Sequence, residues 1–227
     1  MGWHTFLQQI NIALNSIGAT AWTNIILSDV KRKAAAASRQ MALEYGEPLW
    51  CKGTGMRNTH LLAIAPTVSN SRINSCSAGI EPQPANIYVF NGAKGTFIVK
   101  NPELEKLLIE KGHNTTRVWD QIMGDNGSVM GLSHEILTED EKEVFMTFPE
   151  INQLALVQQA ATRQKYIDQT QSLNLAFDPT DSPKWINQVH MEAWKLGIKT
   201  LYYLRTDSVI KGDLGSRTTE DCLSCDG

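Results

Sequence analysis

Residues 171–204 carry the pattern of a strand, a helix and a second strand, and this unit constrains the fold more than any other part of the sequence. Two apolar runs, 171–177 and 200–204, flank a segment whose apolar positions recur at helical spacing. Ser182 is a good N-cap, Pro183 suits the first helical position, and Gly197 ends the helix. Such a unit joins parallel strands through a right-handed crossover. The sequence therefore predicts a parallel α/β fold.

Residues 60–65 form a third continuous apolar run, which ends at Pro66. A run of this length predicts a strand that is buried on both faces, as in parallel sheets and barrels. Upstream, residues 3–12 predict a short amphipathic helix. Thr20 is expected to cap a long alanine-rich helix that runs to about Tyr45 and stops at Gly46.

The pattern changes between residues 79 and 166. Two short runs, 87–90 and 95–99, enclose Asn91-Gly92, which predicts a hairpin. Helices are expected at 102–111, 117–123 and 139–163, the last with a break at Pro149 and a capping box that starts at Thr138. We interpret this region as an α+β insertion. The predicted organisation is 1–78 (helices, strand and loop), 79–166 (insertion), 167–206 (last two strands) and 207–227 (a polar, disordered tail).

The net charge of −3 lies in the tail, where residues 207–227 hold five acidic and two basic side chains. Residues 1–206 hold 19 of each sign, and this neutral body argues against a nucleic-acid surface. No apolar run is long enough to span a bilayer, and the first residues lack a signal-peptide pattern. We therefore expect a cytoplasmic protein, or one of the host cytoplasm if the source is viral, with reduced cysteines.

The loop Pro66-Thr-Val-Ser-Asn70 follows the first predicted strand directly. If a helix begins there, its N-terminal N–H groups attract phosphate without a lysine. The alternative is an ordinary cluster of N-capping side chains.

Tyr202 and Tyr203 are adjacent in the last predicted strand. Aromatic residues favour strands, so one ring in the core and one on the surface is the simple interpretation. A relay that passes an electron and a proton between the rings requires them to stack, and the strand must then be irregular or end at the pair.

Cys222-Leu-Ser-Cys225 lies near the end of the tail. A zinc half-site would need a second Cys or His pair nearby, and the sequence has none. The alternative is a thiol shuttle on a flexible tether, re-reduced by a thioredoxin-like protein. Cys51 and Cys76 lack a motif and are expected to be packing thiols.

Together these segments resemble the C-terminal third of the large (alpha) subunit of class I ribonucleoside-diphosphate reductase. The bacteriophage type of this subunit is one candidate. The resemblance is carried by residues 65–82, 163–175 and 193–206 and by the terminal Cys-x-x-Cys. It implies the C-terminal portion of a ten-stranded α/β barrel with a small α+β insertion. The runs at 60–65, 171–177 and 200–205 would be its last three strands.

The resemblance also implies roles for individual residues. Substrate diphosphate would bind to Pro66, Thr67, Val68, Ser69 and Asn70. Tyr202 and Tyr203 would transfer the radical, and Cys222 and Cys225 would be the redox thiols. The implied reaction reduces ribonucleoside diphosphates to deoxyribonucleoside diphosphates for DNA synthesis. The chain itself is expected to bind no metal or cofactor; a diiron or related metal-radical cofactor would lie in a partner small subunit, and thioredoxin or glutaredoxin would be the reductant.

One departure concerns the reacting cysteine. The family's radical cysteine lies in an Asn-x-Cys-x-Glu motif that this sequence lacks, as it lacks the upstream disulfide cysteines and allosteric sites. We hypothesise a naturally split large subunit whose N-terminal piece is another chain. The alternatives are an inactive fragment, a non-catalytic binding or scaffold fragment, and a stand-alone thiol oxidoreductase that uses the terminal cysteines.

Overall fold

The computed structural model describes residues 1–92 and 95–206 and shows a mixed α/β architecture. A short 3-10 helix lies at Leu49–Cys51. The helices and strands of the described residues are α1 (Trp3–Gln9), α2 (Ile17–Tyr45), α3 (Val68–Ile73), β1 (Ile87–Gly92), β2 (Gly95–Lys100), α4 (Pro102–Glu110), α5 (Thr116–Gly124), α6 (Glu139–Val144), α7 (Gln153–Gln164), β3 (Leu175–Phe177), α8 (Pro183–Lys195) and β4 (Leu204–Thr206).

Three chain segments run parallel, with residues 169–177 in the middle. On one side β3 pairs with β4, from Leu175 opposite Leu204 to Phe177 opposite Thr206. On the other side Ile64 forms a parallel bridge with Gln171. Helix α8 connects β3 to β4, and it begins at the predicted cap, where Ser182 Oγ accepts the Trp185 N–H at 3.2 Å. The predicted parallel strand–helix–strand unit is confirmed.

Residues 60–65 differ from the prediction of a strand buried on both faces. They form an isolated bridge instead of a ladder, and His60, Ala63 and Ala65 are exposed. Within the described ranges, pairing comes from residues 169–172 on one side only, so the opposite edge is left unpaired and the faces are only partly covered. The segment is held in place by Asp168, whose carboxylate accepts the N–H groups of Leu61 at 2.7 Å and Leu62 at 2.8 Å.

Residues 79–166 contain the predicted hairpin, with β1 and β2 antiparallel from Ile87 opposite Lys100 to Gly92 opposite Gly95. The helix predicted over 139–163 is two helices, α6 and α7, separated by residues 145–152, which include Pro149. Thr138 makes both hydrogen bonds of a capping box with Glu141. These elements enclose their own apolar cluster, whose fully buried members include Leu104, Leu108, Ile122, Val129 and Leu137.

The N-cap of helix α2 lies four residues before the predicted cap. Ser16 is the N-cap, with its Oγ accepting the Ala19 N–H at 3.2 Å, whereas Thr20 lies inside the helix and donates its hydroxyl to Ser16 O at 3.4 Å. The helix ends at Gly46, as predicted. Although α2 has 29 residues, neither it nor another helix of the described residues is apolar enough to cross a bilayer.

A buried arginine joins α7 to the central segment. Arg163 is 2% exposed, and its Nε donates to Gln171 Oε1 at 3.2 Å. Gln171 in turn donates Nε2 to Ala160 O at 2.9 Å. Burial lowers the pKa of Arg163 to about 9, because the charged guanidinium loses hydration. This contact sets where the central segment lies against the helices.

Helix α1 is tied to the loop that follows α3. Ser77 Oγ accepts the N–H groups of His4 at 3.1 Å and Thr5 at 3.2 Å, and Ser77 N–H donates to Thr5 Oγ1 at 2.8 Å. His4 Nδ1 accepts the Gln83 N–H at 2.9 Å. Nδ1 must therefore be unprotonated, which leaves the Nε2 proton to face Val144 O at 3.3 Å.

Protonation of His4 should destabilise the fold. Burial lowers its pKa from 6.5 to about 4, against the opposing effect of the Val144 carbonyl. The unfolded chain then binds the proton more tightly, so stability present above pH 6.5 is lost as the pH falls towards 4. The expected loss is roughly 3 kcal/mol, from about 1.4 kcal/mol per pKa unit.

Chemical denaturation between pH 7 and pH 4 measures this effect. His4→Gln should flatten the pH dependence of the unfolding free energy, while the same change at the exposed His134 should leave it unaltered. Equal pH dependence in the wild type and His4→Gln would contradict the assignment.

Candidate functional site

The loop after residues 60–65 is built around a strained threonine. Thr67 has left-handed backbone angles, φ 50° and ψ 34°, and its carbonyl accepts the Ser71 N–H at 3.0 Å. The Thr67 side chain does not cap α3; instead its Oγ1 accepts the Gly79 N–H at 2.9 Å. The Thr67 side chain thus binds a neighbouring loop and leaves the N-terminus of α3 without a side-chain cap.

The first backbone amides of α3 are available to a ligand. Val68, Ser69 and Asn70 are exposed, and the described residues provide no acceptor for their N–H groups. Adjacent N–H groups that point outward from the start of a helix suit the oxygens of a phosphate. The structure therefore places the five predicted substrate-binding residues, 66–70, in one turn; their role stays a prediction.

Gly79 packs against this turn from the opposite side. Its φ is +49°, and a Cβ there would lie 3.1 Å from Ala65 O and 3.3 Å from Pro66 O. A side chain would therefore need both an unfavourable backbone conformation and a shift of two carbonyl groups. The segment from Gly79 to Glu81 is held close to the loop and continues towards the tyrosines.

Tyr202 and Tyr203 lie together just before β4. Their ring centroids are 4.0 Å apart and the ring planes are inclined by 45°. Adjacent residues of a regular strand point to opposite faces, so this contact requires the irregular backbone found here. Each ring is 47% exposed. The structure brings the two predicted radical-transfer residues into contact, and their role stays a prediction.

Polar side chains support the backbone of the tyrosine pair. Asn174 Oδ1 accepts the Tyr203 N–H at 2.9 Å, and the Asn174 N–H donates to Glu81 Oε1 at 3.2 Å. The guanidinium carbon of Arg205 lies 5.9 Å from the Tyr203 ring centroid. Burial raises the pKa of the Glu81 carboxyl, while the hydrogen bonds from Asn174 and the charge of Arg205 oppose the rise.

The sequence analysis did not single out these three supporting residues. Glu81, Asn174 and Arg205 lie in segments that carry the family resemblance, but each is an isolated polar residue without motif spacing. Their structural signal is one buried amide and two partly buried charged side chains beside an exposed aromatic pair. That signal exists only once strands distant in sequence are brought together.

A cavity of about 530 Å³ adjoins these residues, between α3, the hairpin and residues 81–85. Its wall combines aromatic rings with charged groups, and the Arg72 guanidinium carbon lies 4.6 Å from the Phe90 ring centroid. The charged residues of the wall are Arg72, Glu81, Lys100 and Arg205.

The cysteines fall into two groups. Cys51 is buried and Cys76 partly buried, and both are free thiols, as expected of packing residues. Cys222 and Cys225, the predicted redox thiols, lie outside the described residues.

A family model described as "Ribonucleotide reductase, barrel domain" matches residues 50–204. The chain belongs to this family. The match spans the loop at 66–70, residues 79–166, β3 and the tyrosine pair, so the predicted resemblance is confirmed.

Individual relatives agree with the family model. The chain is 37% identical over 239 aligned positions to the ribonucleoside-diphosphate reductase large subunit of invertebrate iridescent virus 3, covering 100% of this chain and 38% of that protein. It is 36% identical over 233 positions to the putative large subunit of frog virus 3, covering 100% of this chain and 41% of the relative.

A solved structure shows the same fold. The alpha subunit of the class Id ribonucleotide reductase of Actinobacillus ureae matches with a TM-score of 0.84 and 44% identity, over 92% of this chain and 38% of that one. The chain thus spans about two fifths of the length of each of these relatives.

Alanine at Gly79 should destabilise the protein more than alanine at a glycine in open space. Both Gly79 and Gly112 have positive φ, but a Cβ at Gly112 would meet nothing within 4 Å. Gly112→Ala should cost about 1 kcal/mol from the left-handed backbone alone. Gly79→Ala should cost at least ~1 kcal/mol more, because two carbonyl groups must move. Urea denaturation measures both, and equal losses would contradict the close packing described for Gly79.

Proposed function

We propose that this chain is part of a ribonucleoside-diphosphate reductase, which reduces ribonucleoside diphosphates to deoxyribonucleoside diphosphates for DNA synthesis. The observation that carries the proposal is the contact between Tyr202 and Tyr203 within a family barrel domain, at 4.0 Å between ring centroids. Two phenol rings in contact suit the transfer of an electron and a proton, although their planes are inclined by 45° here and are not stacked. In this proposal the chain supplies a substrate loop, a radical relay and a thiol tail.

The substrate loop binds the diphosphate through the backbone. The outward N–H groups of Val68, Ser69 and Asn70 support this role, since they can donate to phosphate oxygens without a basic side chain. Pro66 and Thr67 set the turn, and Thr67 is fixed by its hydrogen bond to Gly79.

The relay moves one electron and one proton in each step. When one phenol is oxidised, its neighbour gives up an electron and its phenolic proton and becomes the tyrosyl radical, while the first phenol is restored. In the last step a cysteine thiol gives an electron and its proton to the tyrosyl radical and becomes a thiyl radical; this sequence does not supply that cysteine in the family's motif. That cysteine therefore belongs to an N-terminal part of the large subunit, and the initial oxidant to a small subunit with a diiron or related metal-radical cofactor.

The tail restores the active site after turnover. Substrate reduction leaves a disulfide, and the thiols of Cys222 and Cys225 reduce it by exchange and become a disulfide themselves. Two electrons and two protons from thioredoxin or glutaredoxin regenerate the dithiol. The supporting observation is the Cys-x-x-Cys spacing near the end of an acidic segment.

The rest of the barrel comes from the N-terminal part, whether that part is a separate chain or the same one. Two surfaces support this arrangement. Residues 60–65 present an edge that the described residues leave unpaired, and α2 exposes apolar side chains such as Ile25 and Leu43. The protein is expected to work in the cytoplasm, or the host cytoplasm for a virus.

The relay assigns a required role to both phenols. Tyr202→Phe and Tyr203→Phe should each lower kcat of the complex formed with the N-terminal part and the small subunit. The expected loss is at least a hundredfold, or about 2.7 kcal/mol of barrier, because phenylalanine cannot give up a phenolic proton. Deoxyribonucleoside diphosphate formation is the measurement, with Tyr88→Phe as a control within the insertion. Undiminished turnover in both variants, or turnover by this chain alone, would contradict the proposal.

The assembly surface can be tested with two isoleucines of equal exposure. Ile25 on α2 is 58% exposed and Ile109 on α4 is 59% exposed. Ile25→Asp should weaken binding of the N-terminal part by at least about tenfold, since a carboxylate would be buried in an apolar contact. Ile109→Asp, on the insertion, should bind like the wild type. Isothermal titration calorimetry measures the affinity of each variant for the N-terminal part. Equal affinities for the two variants would exclude α2 from the contact.

A further inference from the structure

The geometry of the tyrosine pair depends on polar contacts. Each of the two residues is 47% exposed, so burial alone does not hold either ring in position. The backbone that carries these half-exposed residues therefore helps to set the contact between the rings. The backbone contacts of Tyr202 and Tyr203 therefore decide whether the 4.0 Å separation is kept.

One of those backbone contacts is made by an asparagine side chain. The Tyr202 N–H donates to Leu173 O at 2.8 Å, and the Leu175 N–H donates to Tyr203 O at 2.9 Å, as in a sheet. Between them the Tyr203 N–H donates to a side chain, Asn174 Oδ1, at 2.9 Å. Asn174 is 3% exposed, so its amide is confined. Replacing a backbone acceptor by a side chain lets the chain depart from regular strand geometry at the pair.

Glu81 holds Asn174 in turn. Its Oε1 accepts the Asn174 N–H at 3.2 Å, which fixes the residue whose side chain binds Tyr203. The same carboxylate attracts the Arg205 guanidinium, which lies 5.9 Å from the Tyr203 ring centroid. One carboxylate thus acts on both sides of Tyr203: on the backbone through Asn174 and on the ring through Arg205.

We infer that Glu81 is a positioning residue for radical transfer, which holds Tyr203 in contact with Tyr202 through Asn174 and Arg205. The inference rests on the proposed relay. Glu81 touches neither ring directly, so its effect is on geometry and local charge. Its backbone continues from Gly79, which Thr67 Oγ1 binds at 2.9 Å, so the support for the tyrosines and the substrate loop share one short segment.

The first experiment uses the purified chain alone. 3-Fluorotyrosine at position 203 gives one ¹⁹F resonance, which the adjacent ring should displace from its denatured position. Glu81→Ala removes both contacts, and its resonance should move most of the way towards the denatured value. Glu81→Gln keeps an acceptor oxygen for the Asn174 N–H but loses the charge, so a smaller move in the same direction is expected.

A matched control is Glu150→Gln. Glu150 is a partly buried carboxylate of the insertion that accepts hydrogen bonds from Thr147 N–H and Oγ1, both at 2.7 Å. In the Glu150→Gln variant the ¹⁹F resonance of 3-fluorotyrosine at position 203 should coincide with that of the wild type. An unchanged resonance in Glu81→Gln overturns the inference even if Glu81→Ala does not fold.

The second experiment measures turnover in the complex with the N-terminal part and the small subunit. Glu81→Ala should lower kcat at least about tenfold while KM for the diphosphate stays within about twofold, because the substrate contacts are retained. Glu81→Gln should recover part of the loss. A rise in KM with unchanged kcat would assign Glu81 to substrate binding and overturn the inference.

The two proposals fail separately. If Tyr203→Phe retains full turnover, the relay is wrong, while the fluorine resonance still reports whether Glu81 positions the ring. If Tyr203→Phe abolishes turnover and Glu81→Ala leaves kcat unchanged, the relay stands and the positioning role is wrong.

Discussion

Residues 169–177 pair in parallel with one chain segment on each side, and the rest of the structure depends on this constraint. Residues 61–64 lie along one side and residues 202–206 along the other. The loop at 66–70 follows the first outer segment, and the tyrosines belong to the second. Both features therefore meet around the central segment although about 130 residues of sequence separate them. Arg163 and Gln171 fix this segment against α7.

The candidate site is formed where regular sheet hydrogen bonding stops. Asp168 binds two N–H groups of the first outer segment, and Asn174 binds one N–H group of the second. In each case a side chain on or immediately before the central segment takes the place of a backbone acceptor. Asn174 thus allows the second outer segment to leave the regular ladder at the exposed aromatic pair.

Much of the fold could be predicted from the sequence because local signals coincided. Ser182 with Pro183 starts α8, and Thr138 with Glu141 starts α6. The extent of the strands could not be predicted, because it depends on pairing partners far away in sequence. Residues 60–65 are apolar enough for a buried strand, yet the described chain covers one edge only. The cap of α2 is Ser16 and not the predicted Thr20, and both residues carry a hydroxyl that can cap a helix.

The hydrogen bond from Gly79 to Thr67 has a consequence for how sequences of this loop can diverge. The Thr67 hydroxyl is committed to the fold, whereas Ser69 and Asn70 are exposed and Val68, at the rim of the cavity, is partly exposed. A ligand held by main-chain amides is indifferent to the side chains attached to them. Evolution could therefore exchange residues 68–70 freely, provided that position 67 kept a hydroxyl and position 79 kept glycine.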